Sequence, residues 1–193
     1  MTHSWRAHAD EADAPHTARK LTSMTGADGG DMDSGGEKPA DNLKLERFLP
    51  YRLVVAATLA SRALARIYSR HFGIGIPEWR VMAMLGQFDR LTARDVGELS
   101  HMHKTKVSRA VSELVERGLV EKTPNRDDLR EAFLSLSLPG RRIYDQVAPM
   151  ALTFEKRLMD DIPAAEMQAF ERVLSTLTER VRVLSAGFTA ADD

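Results

Sequence analysis

The chain has 193 residues, 43% of them hydrophobic, with 27 Lys and Arg against 28 Asp and Glu, six His and no cysteine. That composition suits one globular domain with appendages and excludes disulfides, thiolate metal sites and a cysteine redox switch. No uncharged run approaches the roughly 20 apolar residues a membrane span needs, and the first residues lack the apolar core of a secretory signal, so a cytoplasmic protein with no membrane partner is expected.

The charge is unevenly spread. Residues 1–44 hold five cations and eight carboxylates, and Asp192 and Asp193 are both acidic, so the formal net charge of -1 leaves +4 on residues 45–191. The first segment also carries Gly26, Gly29, Gly30, Gly35 and Gly36 and few large apolar groups. It buries too little surface to offset its ordering entropy, which predicts a disordered arm over 1–44 and a short disordered tail over 189–193. The arm's negative balance argues against a role on a polyanion.

Beyond the arm, Leu53, Ala57, Ala60, Leu64, Ile67 and Tyr68 follow helical spacing. Pro77 then suits the first turn of a further helix carrying Val81, Met82 and Leu85. Thr92 stands three residues before Asp95, the spacing of a capping box, and predicts a helix from about Ala93 through Val96 and Leu99. Val107, Ala110, Val111 and Leu114 mark one buried stripe on the next helix, which Gly118 stops. Thr105, Ser108, Arg109 and Ser112 fall on the opposite face. Lys104, Lys106 and Arg109 crowd its N-terminal end, where the helix dipole adds positive field.

A strand-like run from Leu119 to Lys122 leads into the polar segment 123–130, and Phe133 to Leu138 then alternates with period two. This predicts a hairpin whose long loop extends Arg126 and Arg130 outward, with Asp128 orienting an arginine. Two short helices, a glycine stop and a charged hairpin outline a winged helix-turn-helix. The fold expected is mainly α with a small β-hairpin wing, and the expected target is duplex DNA. Arg109 is the natural reader of guanine, with Thr105, Ser108 and Ser112 beside it. After the hairpin, Ile143, Val147, Met150, Phe154 and Leu158 mark one long helix. Past Pro163, the apolar set from Met167 to Leu184 marks another. Helices this apolar need a partner, either each other or a second subunit.

The stretch His103-Lys104-Thr105-Lys106-Val107-Ser108-Arg109-Ala110-Val111 through Leu114 to Val120, with Asp128-Leu129-Arg130, Leu134 to Ser137 and Gly140, resembles the MarR-type transcriptional regulators from near Leu45 to Leu184. In that family an acidic cap often stands at the place of His103, and Leu138 also departs from the pattern. The resemblance implies a domain over 45–188. Its DNA-binding lobe would span about 77–138, between dimerisation helices over 45–76 and 139–188. It further implies a homodimer on a pseudo-palindromic operator, commonly a repressor released by a small molecule.

A cleft between the dimerisation helices and the lobe would offer Tyr68, His71, Trp79 and Arg80 to an aromatic acid or its thioester. Trp79 beside Pro77 also suits the core, and Arg80 an ion pair or open surface. Regulators of aromatic acid catabolism show a similar Ile76-Pro77-Glu78-Trp79-Arg80. No nucleophile triad, phosphate-cradling glycine loop or paired carboxylates suggest catalysis. His101 and His103 lack a third ligand nearby, so neither metal nor cofactor is expected. The competing reading is a dimeric winged helix module for protein contacts without specific DNA binding. It sits poorly with the basic end formed by Lys104, Lys106 and Arg109.

Overall fold

A computed structural model describes residues 43–189 except Asp127 and Leu129. The predicted arm, but for residues 43 and 44, and the tail beyond Thr189 lie outside the described residues.

Helix α1 (Leu49–Phe72) ends on Gly73, whose φ of 61° supplies the left-handed turn that closes a helix. Helix α2 (Ile76–Phe88) opens with Pro77 in its first turn, where a missing N–H costs nothing. Strand β1 (Leu91–Thr92) runs into α3 (Ala93–Ser100) through the predicted capping box. Thr92 Oγ1 accepts from the Asp95 N–H at 3.1 Å, and the Thr92 N–H donates to Asp95 Oδ2 at 2.8 Å. Three residues, with His101 in the left-handed region at φ 53°, join α3 to α4 (Lys104–Glu116). Strands β2 (Val120–Pro124) and β3 (Ala132–Leu136) form the hairpin, followed by α5 (Leu138–Leu158) and α6 (Ala164–Thr189).

The sheet has three antiparallel strands in the order β1-β3-β2, with Leu91 opposite Leu134 and Val120 opposite Leu136. The β1 strand is the element the sequence did not announce. Two residues are too short for any alternation to be legible, and only pairing with β3 makes them a strand. The second strand also ends earlier than its alternation suggests. Ser137 instead caps α5 by accepting from the Gly140 N–H at 3.0 Å, and Pro139 in the first turn draws Leu138 into the helix.

The core lies where α2, α3, α4, the sheet and the start of α5 meet. Val81, Met82, Leu85, Val96, Val107, Leu114, Leu134 and Val147 are all buried there. Removing such apolar area from water contributes about 25 cal/mol per Å². Two close approaches hold the lobe's lower edge. Ser137 Oγ donates to the Gly118 carbonyl at 2.6 Å, and Gly140 lies so near Leu119 that a Cβ there would come within 2.0 Å of its carbonyl oxygen. In contrast, α1, α5 and α6 carry exposed Leu49, Val54, Leu59, Leu152, Phe170, Val173, Leu174, Val181 and Leu184.

Candidate nucleic-acid interface

Helix α4 is a two-faced element. Val107, Ala110, Val111 and Leu114 are buried against α2, α3 and β2, while Lys104, Thr105, Lys106, Ser108, Arg109 and Ser112 are all exposed. Its first turn contains no carboxylate, so the dipole and three cations act at one end without internal neutralisation. His103 is the N-cap, and its Nδ1 accepts from the Thr105 N–H at 3.3 Å. An imidazole thus does the capping, and it leaves this end of the helix free of negative charge.

The exit of α4 is a Schellman motif. With Gly118 at φ 66°, the Leu119 N–H donates to the Leu114 carbonyl at 2.8 Å and the Gly118 N–H to that of Val115 at 2.9 Å. Just before it, Arg117 donates from Nη1 to the Gly73 carbonyl at 2.8 Å and from Nη2 to that of Phe72 at 2.6 Å. The C-terminal end of α1 is therefore closed by a cation from α4, which satisfies two carbonyls that no helical N–H reaches.

The hairpin stands beside α4. Its loop leaves Arg126 and Arg130 exposed. Asp128 differs from expectation: its Oδ1 accepts from the Arg130 backbone N–H at 2.9 Å, so it shapes the turn instead of steering a guanidinium. Between α3, α4 and the sheet lies a groove of about 630 Å³ with a floor of Met102, Val107, Val111 and Leu134. Lys104, Ser108 and Ser112 of α4 and Arg130 of the hairpin share its walls. Thr105, Lys106, Arg109 and Arg126 are exposed outside it. Arg94 and Lys122 also line it, and sequence reasoning missed both. Each stands on an element whose own pattern says nothing of α4, so only the fold brings them there.

The four residues assigned to an effector divide in two. Tyr68 and Trp79 are buried, with ring centroids 5.5 Å apart, and Trp79 stacks further on Tyr144 at 6.1 Å. Burial pushes the Tyr68 hydroxyl up to about 12, with Arg80 pulling it down and Glu78 adding to the rise. His71 and Arg80 are exposed, and Arg80 Nη2 donates to Ser61 Oγ at 3.4 Å. Among the described residues no group of three or more His, Asp or Glu is placed to hold a metal, and no helix is long and apolar enough to cross a membrane.

No curated protein matches the sequence. A sequence model described as the MarR family matches residues 72–131, from the end of α1 through the hairpin loop. Among solved structures, a MarR family transcriptional regulator from Silicibacter pomeroyi is 26% identical, with 72% of this chain and 94% of that one covered at a TM-score of 0.62. Two structures solved with DNA share the fold. A mutant MarR from E. coli on operator DNA is 20% identical, covering 68% of this chain and 95% of that one at a TM-score of 0.60. A MarR family transcriptional regulator from Streptomyces coelicolor in complex with DNA is also 20% identical, covering 74% and 92% at 0.63. The helix pair and the Schellman exit fall within the matched stretch, and over it the chain is similar to the MarR family.

Proposed function

We propose that this protein is a sequence-specific DNA-binding transcriptional regulator with no catalytic role, acting as a homodimeric repressor that a small-molecule effector releases from a pseudo-palindromic operator. The observation that carries the reading is the exposed face of α4. Three cations and three hydroxyls stand there around a carboxylate-free helix start, beside Arg126 and Arg130. Such a helix end attracts phosphates, and its first turns reach base edges in a major groove while the hairpin follows the backbone or minor groove. Relatives solved on DNA support the same use of the fold.

Dimerisation is supported by the exposed apolar side chains of α1, α5 and α6, since a monomer would leave them in water. Two lobes joined in this way turn a weak half-site contact into specific binding. In this reading the lobe spans 77–138 and the helices on either side of it join the two copies. For the effector, His71 offers an imidazole and Arg80 a guanidinium at the surface, and Tyr68 and Trp79 the aromatic wall behind them, a set suited to an aromatic acid or its thioester. Release requires the ligand to favour a lobe spacing that the operator does not.

Fluorescence anisotropy on DNA from upstream of the protein's own gene, against a shuffled duplex across a salt series, tests the reading. Preferential binding that weakens with salt is expected. Equal, weak binding to both duplexes, repeated with sequences selected from a random pool, would overturn it in favour of a protein-contact module. Benzoate titrated into a Trp5→Phe background, in which Trp79 is the remaining indole, checks the effector site. A saturable fluorescence change that Arg80→Ala abolishes is expected, and a flat response to benzoate and its thioester would remove the assignment.

A further inference from the structure

Arg94 is in an unfavourable place for a cation. It occupies the first turn of α3, whose dipole repels positive charge, and Asp95 already completes the capping box there. Its guanidinium turns instead to the hairpin, where Nη2 meets Glu131 Oε1 at 2.7 Å. Glu131 is the residue at which the hairpin loop closes. Its N–H donates to the Asp128 carbonyl at 3.1 Å, and its carbonyl accepts from the Asn125 N–H at 3.4 Å. The Glu131 side chain is 22% exposed and that of Arg94 65%, so the pair is held from the carboxylate's side while the guanidinium stays in contact with solvent. Two residues further along β3, the Phe133 ring carries the Arg90 guanidinium 3.8 Å above its centre. Arg90 and Arg94 thus grip the root of β3 from either side of β1.

We propose that Arg94 and Glu131 form a latch that sets the angle of the hairpin and so positions Arg130, its immediate neighbour in the chain, for DNA. The inference rests on the DNA-binding reading above. It assigns Glu131 a role opposite to what its charge suggests. As a bare carboxylate on a DNA-facing groove, Glu131 repels phosphate, and its removal would tighten binding to any duplex. As a positioning residue it raises specific affinity, and its removal loosens the hairpin.

The test uses the full chain and a duplex selected by the protein from a random pool, with Glu131→Gln, Arg94→Ala, the double variant and the charge swap Arg94→Glu with Glu131→Arg. Expected is a loss of up to about fivefold on the selected duplex for Glu131→Gln, the range of an exposed or half-exposed ion pair, and a similar loss on shuffled DNA, since the arginine it positions contributes charge without sequence. The double variant should lose no more than Arg94→Ala alone, and the swap should recover most of the loss. Equal or tighter binding of Glu131→Gln to the selected duplex would overturn the latch, as would fully additive losses. Hydrogen exchange of the free protein supplies a readout independent of DNA. Faster exchange over 120–136 in Glu131→Gln, at an unchanged melting temperature, is the latch's own signature. If the wild type prefers no duplex, the functional reading falls. The latch is then decided by exchange alone, and unchanged exchange would sink it.

Discussion

Gly140 shows how one atom can carry a fold. The start of α5 passes the exit of α4 so closely that a Cβ would collide with backbone, which has no rotamer to move away. Gly140→Ala is expected to cost about 3 kcal/mol, at the upper end of overpacking, read as a fall in melting temperature. A second prediction belongs to Tyr68. Below pH 10 folded and unfolded chains both keep the phenolic proton. Above it the unfolded chain loses the proton while the folded chain holds it to about 12, so stability contributed by this group falls across that window. The loss should reach about 2 kcal/mol by pH 12 and vanish in Tyr68→Phe, measured by denaturant unfolding at several pH values with both proteins. Both effects were partly visible in sequence. Gly140 and Tyr68 stand in the pattern, but nothing along the chain reveals that one touches Leu119 and the other Trp79.

At the scale of elements, the proposed function divides the work of recognition between α4 and the hairpin. Arg109→Ala should cost about 1 to 3 kcal/mol on the selected duplex and relax its base preference, with little change on shuffled DNA. Arg130→Ala should weaken both duplexes alike and flatten the salt dependence, because a hairpin arginine on the backbone contributes charge without sequence. Anisotropy on the two duplexes separates these outcomes, and equal losses for Arg109→Ala would remove its base-reading role. The helices were legible because their signals are local. Thr92 with Asp95, the apolar stripe from Val107 to Leu114 and the Gly118 stop each act within a turn or two. The short β1 and the end of β3 at Leu136 were not, since the first exists only through its partner and the second yields to the Ser137 cap.

For the whole molecule, the decisive feature is the apolar surface that α1, α5 and α6 present. Phe170→Asp with Leu174→Asp places charge on that surface, and sedimentation should show a monomer with α4 and its sheet still folded by circular dichroism. An unchanged coefficient would place the interface on α1 and α5 if the wild type sediments as a dimer, and would remove the proposed dimer if it sediments as a monomer. Arg117, reaching from the end of α4 to the end of α1, is one contact that ties a long helix to the helix proposed to read DNA. Period, caps and stops in the sequence determined which residues are helical, which face of α4 is charged and that a basic hairpin follows it, because those interactions link residues only a few positions apart. Tertiary structure alone decided that Arg94 meets Glu131, that Arg117 closes α1, that Lys122 joins the groove and that Trp79 stacks on Tyr144. Their partners lie tens of residues away or across the sheet, and no local pattern encodes a distance that only packing creates.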